Sequence, residues 1–284
     1  MLMNAPRSVF PTTAPKPTSR KGVWLSVIAI IVVLAIAGVL VVVLNHSTTN
    51  PATAPATTTA PTTAPPTSTA TGGSGFTGTT VDKFNKPVQL PANPAGEILP
   101  QTGRTPADEN GVPAGLMWQK LYDLPIVPFS TSDGPTEVKD GVAQGWARTP
   151  QGAALAGVSI LALWLSAPDD VAATVQRTLL SGETAAIEQV AKTSRPVRKV
   201  ALTNPDLAAG TMQGVSVTNY SSTFASVEIA SGPVYPDDNP SGGYSVSTLA
   251  MTWSDGTWKL IVTPTSPGRP EIRFAIAGMS PWTD

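Results

Sequence analysis

Residues 149–165 read TPQGAALAGVSILALWL, and this stretch decides how the C-terminal part of the chain folds. Thr149 is a favourable N-cap, and Pro150 suits the first helical position, where a backbone N–H would have no partner. The residues that follow are apolar on nearly every side, and one stripe contains Ala154, Val158, Leu161 and Leu165. About 15 residues span only about 23 Å, against roughly 30 Å for a membrane core. We therefore predict a central buried helix rather than a membrane span.

Two further helices are predicted after this one. Residues 167–170, Ala-Pro-Asp-Asp, begin the second helix with two carboxylates at the positive end of its dipole. Ser181-Gly182 ends it, and a third helix runs from Glu183 to about Lys192. The basic cluster that follows is predicted to be a solvated turn in preference to an anion or partner site: Arg195, Arg198 and Lys199.

After residue 200 the apolar residues alternate with polar ones, which indicates strands. Asp255-Gly256 is a strong signal for a type I′ hairpin turn. That turn pairs Trp253 with Trp258, Met251 with Leu260, and Leu249 with Val262, so that all six share one face. A last short strand is predicted at Ile272, Phe274 and Ile276. Helices first and antiparallel strands afterwards predict an α+β domain in which a curved sheet holds the long helix.

The residues ahead of residue 149 have weaker patterns. Residues 116–122 fit a short helix or an edge segment, and residues 124–129, interrupted by prolines, fit a loop better than a central strand. Residues 76–111 fit either an extended arm lying across the domain or a disordered segment. We place the folded α+β domain at residues 112–284.

The N-terminal region contains an apolar run without charge, Val23–Leu44, long enough to cross a membrane. Four Lys and Arg precede it in residues 1–22, and none follows until Lys83, so we predict a cytoplasmic tail and an extracytoplasmic C-terminal part. A cleaved signal peptide is the alternative, but the run is longer than a signal h-region and lacks a small-x-small site at its end. Val23 and Leu44 therefore bound the predicted single-pass anchor in the cell membrane.

Residues 45–75 are predicted to be a disordered stalk. Residues 48–71 consist only of Thr, Pro, Ala, Ser and Asn, which cannot offset their ordering entropy by burial. This composition favours an extended, semi-rigid spacer that holds the domain tens of ångströms from the bilayer.

Composition excludes several chemistries. The chain has no Cys, and its one His, His46, precedes the domain, so thiol catalysis, Ser-His-Asp catalysis and ordinary zinc sites are excluded. Three carboxylate pairs are each explained locally, and no catalytic residue, cofactor or metal is expected: Asp108-Glu109, Asp169-Asp170 and Asp237-Asp238. The loop 235–243 has the residues to bind calcium loosely, but it lacks the ligand spacing of a dedicated calcium loop. Residues 23–284 carry fourteen Lys and Arg against nineteen Asp and Glu, a net charge of −5 that disfavours nucleic acid as a partner.

Six tryptophans lie in the predicted domain, and most of them are expected to build its core. Trp282, beside Pro281 near the end of the chain, is the one we expect to be exposed. The candidate interaction surface combines it with the exposed cations: Arg148, Arg195, Arg198, Lys199 and Trp282.

Two segments carry a resemblance: Asp133-Gly134-Pro135, and residues 145–156, which read GWARTPQGAALA. The chain resembles actinobacterial membrane-anchored proteins encoded on integrative conjugative elements and plasmids, which share a G-[FW]-A-x-T-P-Q-G-A-like run. Relatives often have His where this chain has Arg148. The resemblance covers roughly residues 115–284 and the anchor-and-stalk layout. It implies an outer domain similar to the cystatin-like, nuclear-transport-factor-like cone of bitopic type IV secretion components, by analogy of topology, and it implies no catalytic residue.

Together these observations predict a non-enzymatic scaffold or assembly component of a conjugation or secretion apparatus. Its predicted partners are the membrane, other envelope proteins of a transfer machine and further copies of itself. The alternative is an extracytoplasmic binding module for a lipid, a peptide or a cell-wall fragment. A third hypothesis, an enzyme acting on wall polymer through Asp and Glu, needs two carboxylates about 5 to 9.5 Å apart in one cleft.

Overall fold

The computed structural model describes residues 75–102, 111–204, 211–234, 242–266 and 270–282, within which three helices and twelve strands occur. The strands before the helices are β1 (Phe76–Val81), β2 (Pro87–Pro91), β3 (Met117–Lys120), β4 (Ile126–Phe129), β5 (Glu137–Lys139) and β6 (Val142–Gln144). The helices are α1 (Pro150–Ser166), α2 (Asp169–Thr178) and α3 (Thr184–Thr203), with the short strand β7 (Leu180–Ser181) between α2 and α3. The strands after the helices are β8 (Gly214–Ser221), β9 (Phe224–Val234), β10 (Gly243–Ser254), β11 (Thr257–Ile261) and β12 (Glu271–Arg273).

The chain folds as an α+β structure, but the prediction that helices come first is wrong. Strands β1 to β4 form a four-stranded sheet in that order, and β5 pairs with β6 in a separate hairpin. The stretch predicted as a loop contains β4, whose four residues are all buried and therefore show no alternation. Pro128 is tolerated there because β4 lies at the edge of its sheet.

The larger sheet has the strand order β7-β11-β10-β9-β8, with β12 pairing the other end of β10. Asp255 and Gly256 have φ angles of 53° and 78°, as a type I′ turn requires. The predicted register is confirmed where Trp253 pairs with Trp258 and Met251 with Leu260. Strand β11 ends at Ile261, before the third predicted pair. The last strand is shorter than predicted, and it leaves Ile272 42% and Phe274 58% exposed.

Helix α1 is the central buried helix that the sequence predicts. Thirteen of its seventeen residues are buried. It packs against β8, β9, β10 and β11 of the larger sheet, against β4 of the smaller sheet, and against α2 and α3. Contact on so many sides explains why its sequence is apolar nearly all round. Gly157 allows the close approach to β10, because a Cβ there would lie 3.1 Å from Cδ1 of Leu249.

The first turn of α1 is fastened by a cluster that we call the α1 latch: Asp133, Ala147, Thr149, Gly152 and Trp258. The Thr149 hydroxyl accepts from the Gly152 N–H at 2.9 Å and donates to Oδ1 of Asp133 at 2.6 Å. Nε1 of Trp258 donates to the carbonyl of Ala147 at 2.9 Å. A Cβ on Gly152 would lie 2.0 Å from that same carbonyl oxygen, so the position requires glycine. The predicted N-cap at Thr149 is confirmed.

Strands β1 and β2 form a hairpin that is tied to the rest of the domain through Asp82. Its Oδ2 accepts from the N–H and the hydroxyl of Thr211, at 2.8 and 2.9 Å, and its Oδ1 accepts from the N–H groups of Phe84 and Lys86. Burial alone would raise the pKa of Asp82, but these hydrogen bonds to the carboxylate outweigh it and lower the pKa. The described part of residues 76–111 therefore begins with a hairpin, residues 76–91, that is tied to the rest of the domain.

Helix α3 is twice as long as predicted, because it continues through Pro196 to Thr203. Arg195, Arg198 and Lys199 therefore lie on a helix, and their prediction as a turn is wrong. Proline lacks the N–H that would bond to the carbonyl four residues earlier, and this local cost made the sequence look as if the helix ended before it.

The anchor Val23–Leu44, residues 45–74 of the stalk and residues 235–241 of the loop 235–243 lie outside the described residues. No helix within the described ranges is both long enough and apolar enough to cross a membrane.

Candidate functional site

A groove of about 860 Å³ lies between α2 and α3, above the C-terminal end of α1. Its floor is apolar: Trp164 closes it from α1, Ala172 from α2, and Ala191 from the first half of α3. Leu202, near the end of α3, lines the groove and is 42% exposed. Because three helices line this groove and its walls combine apolar and charged side chains, we take it as the candidate site.

The rim of this groove carries cations on one turn after another of α3. Lys192, Arg195 and Lys199 line it, and all three are exposed. None of these three forms an ion pair with a residue that the structure describes. Glu188 is the acidic residue of α3 at the same rim. The groove therefore presents excess positive charge on a domain whose overall balance is acidic.

Arg198 fixes the position of α3 over the groove. Its guanidinium contacts Oδ1 of Asp169 at 2.7 Å and donates to the carbonyl of Trp164 at 3.2 Å and to the carbonyl of Ala167. The two carbonyls belong to the last turn and the C-cap of α1, where backbone acceptors lack helical partners. Its side chain is only 15% exposed, so Arg198 positions the helix rather than contacting a ligand.

Arg148 and Trp282, which the sequence placed in the same interaction surface, lie elsewhere. The guanidinium of Arg148 lies 5.4 Å from the ring centroid of Trp253 and donates to the carbonyl of Ser222. Trp282 is buried, and its backbone carbonyl accepts from Nε1 of Trp118 at 3.1 Å. The prediction that Trp282 is exposed is wrong, because Ser280 pairs with Val215 and brings the chain end along β8 into the core.

The groove brings together three of the five predicted surface residues: Arg195, Arg198 and Lys199. Sequence reasoning missed Lys192, Trp164 and Leu202, which complete the rim and the floor. One signal was available, since Val190, Val197 and Ala201 continue the helical spacing past Pro196 and predict one longer helix.

Of the three carboxylate pairs in the sequence, the structure describes only Asp169-Asp170. Asp169 is held by Arg198, while the pairs at residues 108–109 and 237–238 lie outside the described ranges. No group of three or more His, Cys, Asp or Glu side chains in the described part of the chain is arranged to hold a metal ion.

The comparisons with known proteins identify a family but no relative of known function. A family model described as a domain of unknown function (DUF8175) matches residues 81–281. No curated protein and no solved structure matches the chain.

Proposed function

The chain belongs to the DUF8175 family, whose function is unknown, and we propose that it is a non-enzymatic, membrane-anchored assembly component of a conjugation or secretion apparatus. The observation that carries this proposal is the groove between α2 and α3. It combines an apolar floor with cations that form no ion pair with a residue that the structure describes, and these are features of a surface that binds another molecule.

The N-terminal sequence supports the membrane part of the proposal. Val23–Leu44 provides one uncharged span, and the Lys and Arg of residues 1–22 favour a cytoplasmic N-terminus. The Thr- and Pro-rich stalk then places the folded part outside the cell, at a distance from the bilayer. We propose a cystatin-like cone as the type of outer domain, since a long helix packs against an antiparallel sheet.

The first experiment tests where the protein is and what it assembles with. Protease added to intact cells should digest the outer domain, and full-length tagged protein purified in mild detergent should bring down other envelope proteins of the transfer machine. Deletion of the gene should lower transfer frequency. A protected outer domain, or a protein recovered alone from cells whose deletion strain transfers normally, would overturn the proposal.

A second candidate function, a binding module for a small envelope ligand, is favoured by the size of the groove. Its volume of about 860 Å³ falls within the range of small-molecule sites, about 300–1,000 Å³. Native mass spectrometry of the full-length protein after incubation with envelope extract should then show an added mass. That added mass should be reduced in Leu202→Trp, which narrows the groove, and an unchanged protein mass with the wild type would contradict this candidate.

A further inference from the structure

Helix α3 presents apolar surface that the described part of the chain does not cover. It is twenty residues long, yet only Ala186 and Val190 are fully buried, and both lie in its first half. The second half carries Val197, Val200 and Leu202, of which none is buried. Because helices are stabilised mainly by packing of their apolar face, this half is helical with less packing than usual. The apolar surface of this half of α3 is therefore accessible to a second protein chain.

Arg198 fixes the shape of the groove by linking α3 to α1 and α2. A guanidinium that satisfies two carbonyls at the end of α1 and a carboxylate of α2 acts as a spacer between α3 and the helices below it. A groove held open in this way need not be opened by its occupant, and preorganisation of this kind lowers the cost of binding.

The charges around the groove define the occupant. Lys192, Arg195 and Lys199 carry three positive charges without ion-pair partners in the described residues, on a chain with a net charge of −5 beyond its basic tail. Such local positive charge attracts an acidic surface and disfavours a basic one. The apolar floor at Trp164 and Leu202 requires apolar side chains from the same occupant.

We propose that the groove binds an acidic amphipathic helix of a partner protein. The apolar face of that helix lies on Trp164 and Leu202, and its carboxylates pair with Lys192, Arg195 and Lys199. This is the helix-in-groove mode of recognition, in which apolar residues at i, i+4 and i+7 are the anchors. The inference rests on the proposed function only in placing the partner among the envelope proteins.

The first test measures binding of a defined probe to the full-length protein in detergent. The probe is a fluorescent amphipathic helix of about 18 residues, with Leu on one face and Glu on the other, long enough to be partly helical. Two control peptides are a scrambled sequence of the same composition and a version with Gln in place of every Glu. Fluorescence anisotropy should show binding of the first peptide, and weaker binding of both controls. Equal binding of all three peptides, or none, would overturn the proposal.

Matched variants then locate the binding. Leu202 and Ile272 are both 42% exposed, but only Leu202 lines the groove. Ile272 lies on β12, which Arg273 holds through Glu228 at 2.7 and 3.0 Å. Leu202→Asp should raise the Kd of the probe about tenfold, and Ile272→Asp should leave the Kd unchanged. Similar effects of both substitutions would overturn the assignment.

The charge pair is matched in the same way. Lys199 and Lys139 are both exposed and have no ion pair within the described residues, but only Lys199 lies at the groove. Lys199→Glu should raise the Kd of the probe about threefold at low salt, and by less at high salt. Lys139→Glu should have no effect. An equal loss of probe affinity in Lys199→Glu and Lys139→Glu would indicate that the probe responds to the net charge of the whole protein, and it would overturn the assignment of the groove as the docking site. Phosphatidylglycerol vesicles that bind with the same dependence on Leu202 and Lys199 would assign the groove to a lipid surface and also overturn it.

A cross-linking experiment in cells identifies the natural occupant. A photoreactive phenylalanine analogue at position 202 of the full-length protein should cross-link to an acidic amphipathic segment of one envelope protein, and the same analogue at position 272 should not. Cross-links from position 202 only to lipid, nucleic acid or the chain itself would overturn the inference.

The two proposals fail separately. If envelope proteins co-purify with the wild type and with Leu202→Asp to the same extent, the groove is not the binding site and the assembly function stands. If the cross-linked acidic helix belongs to a protein without a role in transfer, the groove inference stands and the assembly function fails.

Discussion

The start of α1 and the second half of α3 differ in how completely their side chains are buried and hydrogen-bonded. At the α1 latch, the backbone and the side chains of Thr149, Asp133 and Trp258 meet in short hydrogen bonds, and Gly152 leaves no room for a single added carbon. Along the second half of α3, apolar side chains are partly exposed, and Arg195 and Lys199 form no ion pair with any residue in the described ranges. Residues with specific capping and hydrogen-bonding roles therefore lie at the α1 latch, which stabilises the fold. The second half of α3, where another molecule has room to bind, has no comparably distinctive sequence.

The largest effect on stability is expected from Trp258→Ala. Trp258 is fully buried and supplies the hydrogen bond to Ala147, so its loss should lower the free energy of unfolding by about 4 kcal/mol. Trp253→Ala is the control, because Trp253 contacts the same ring at 5.4 Å but is half-exposed, and it should cost about half as much. Urea denaturation of the full-length protein in detergent measures both. Equal losses would show that the latch is no tighter than its surroundings.

Gly152→Ala tests the close approach within the latch. The added Cβ would lie 2.0 Å from a backbone oxygen, so either the helix or the preceding loop must move, at a cost of about 2–3 kcal/mol. Gly78→Ala is the matched control, since its Cβ would meet its nearest neighbour at 3.9 Å, and it should change stability by less than about 0.5 kcal/mol. Comparison of urea midpoints at equal slope gives the two values. A stable Gly152→Ala protein would mean that the latch can relax.

Asp82→Asn tests the tie between the first hairpin and Thr211. At pH 7 the substitution should cost about 2 kcal/mol, because it weakens several hydrogen bonds to a buried carboxylate. The folded pKa of Asp82 is lowered, so its stabilisation is present above the unfolded pKa near 4 and is lost as the pH falls through the folded pKa. The difference between wild type and variant should therefore narrow as the pH is lowered from 5 to 2. A difference independent of pH would exclude the charged carboxylate as its source.

The smallest effects on stability are expected in the groove. Leu202→Asp and Lys199→Glu should each change the free energy of unfolding by less than about 0.5 kcal/mol, because both side chains are exposed. The same denaturation assay applies, and thermal unfolding provides an independent check. A loss as large as that of Gly152→Ala would show that this half of α3 belongs to the core, and the contrast between the two regions would disappear.

The sequence predicts the parts of the fold that depend on local rules. Thr149-Pro150 marks the start of α1, and Asp255-Gly256 sets the register of β10 and β11, because capping and turn geometry act over a few residues. Strands β1 to β4 escaped prediction for two reasons. All four are short, β2 and β4 contain proline, and β4 is buried on both faces, which removes the alternation that identifies a strand.

The candidate site was predicted only in part. The basic residues after Lys192 were recognised as a cluster, but their role depends on Trp164 and Ala172, which come from two other helices. Neighbours of this kind are set by packing and leave no local pattern. Trp282 shows the opposite error, since its position near the chain end suggested exposure while the pairing of Ser280 with Val215 buries it.

The hairpin of β1 and β2 has a mechanical consequence. Phe76, the first residue of β1, pairs with Pro91, the last residue of β2, so a force applied to the chain ahead of Phe76 should open the hairpin one pair at a time from that end. Peeling frees six residues, roughly 20 Å of slack, before the load reaches Asp82 and its bonds to Thr211. Single-molecule pulling should record this as a low-force extension ahead of the main rupture. The hairpin would then lengthen under load, and the hydrogen bonds of Asp82 would limit how far it opens.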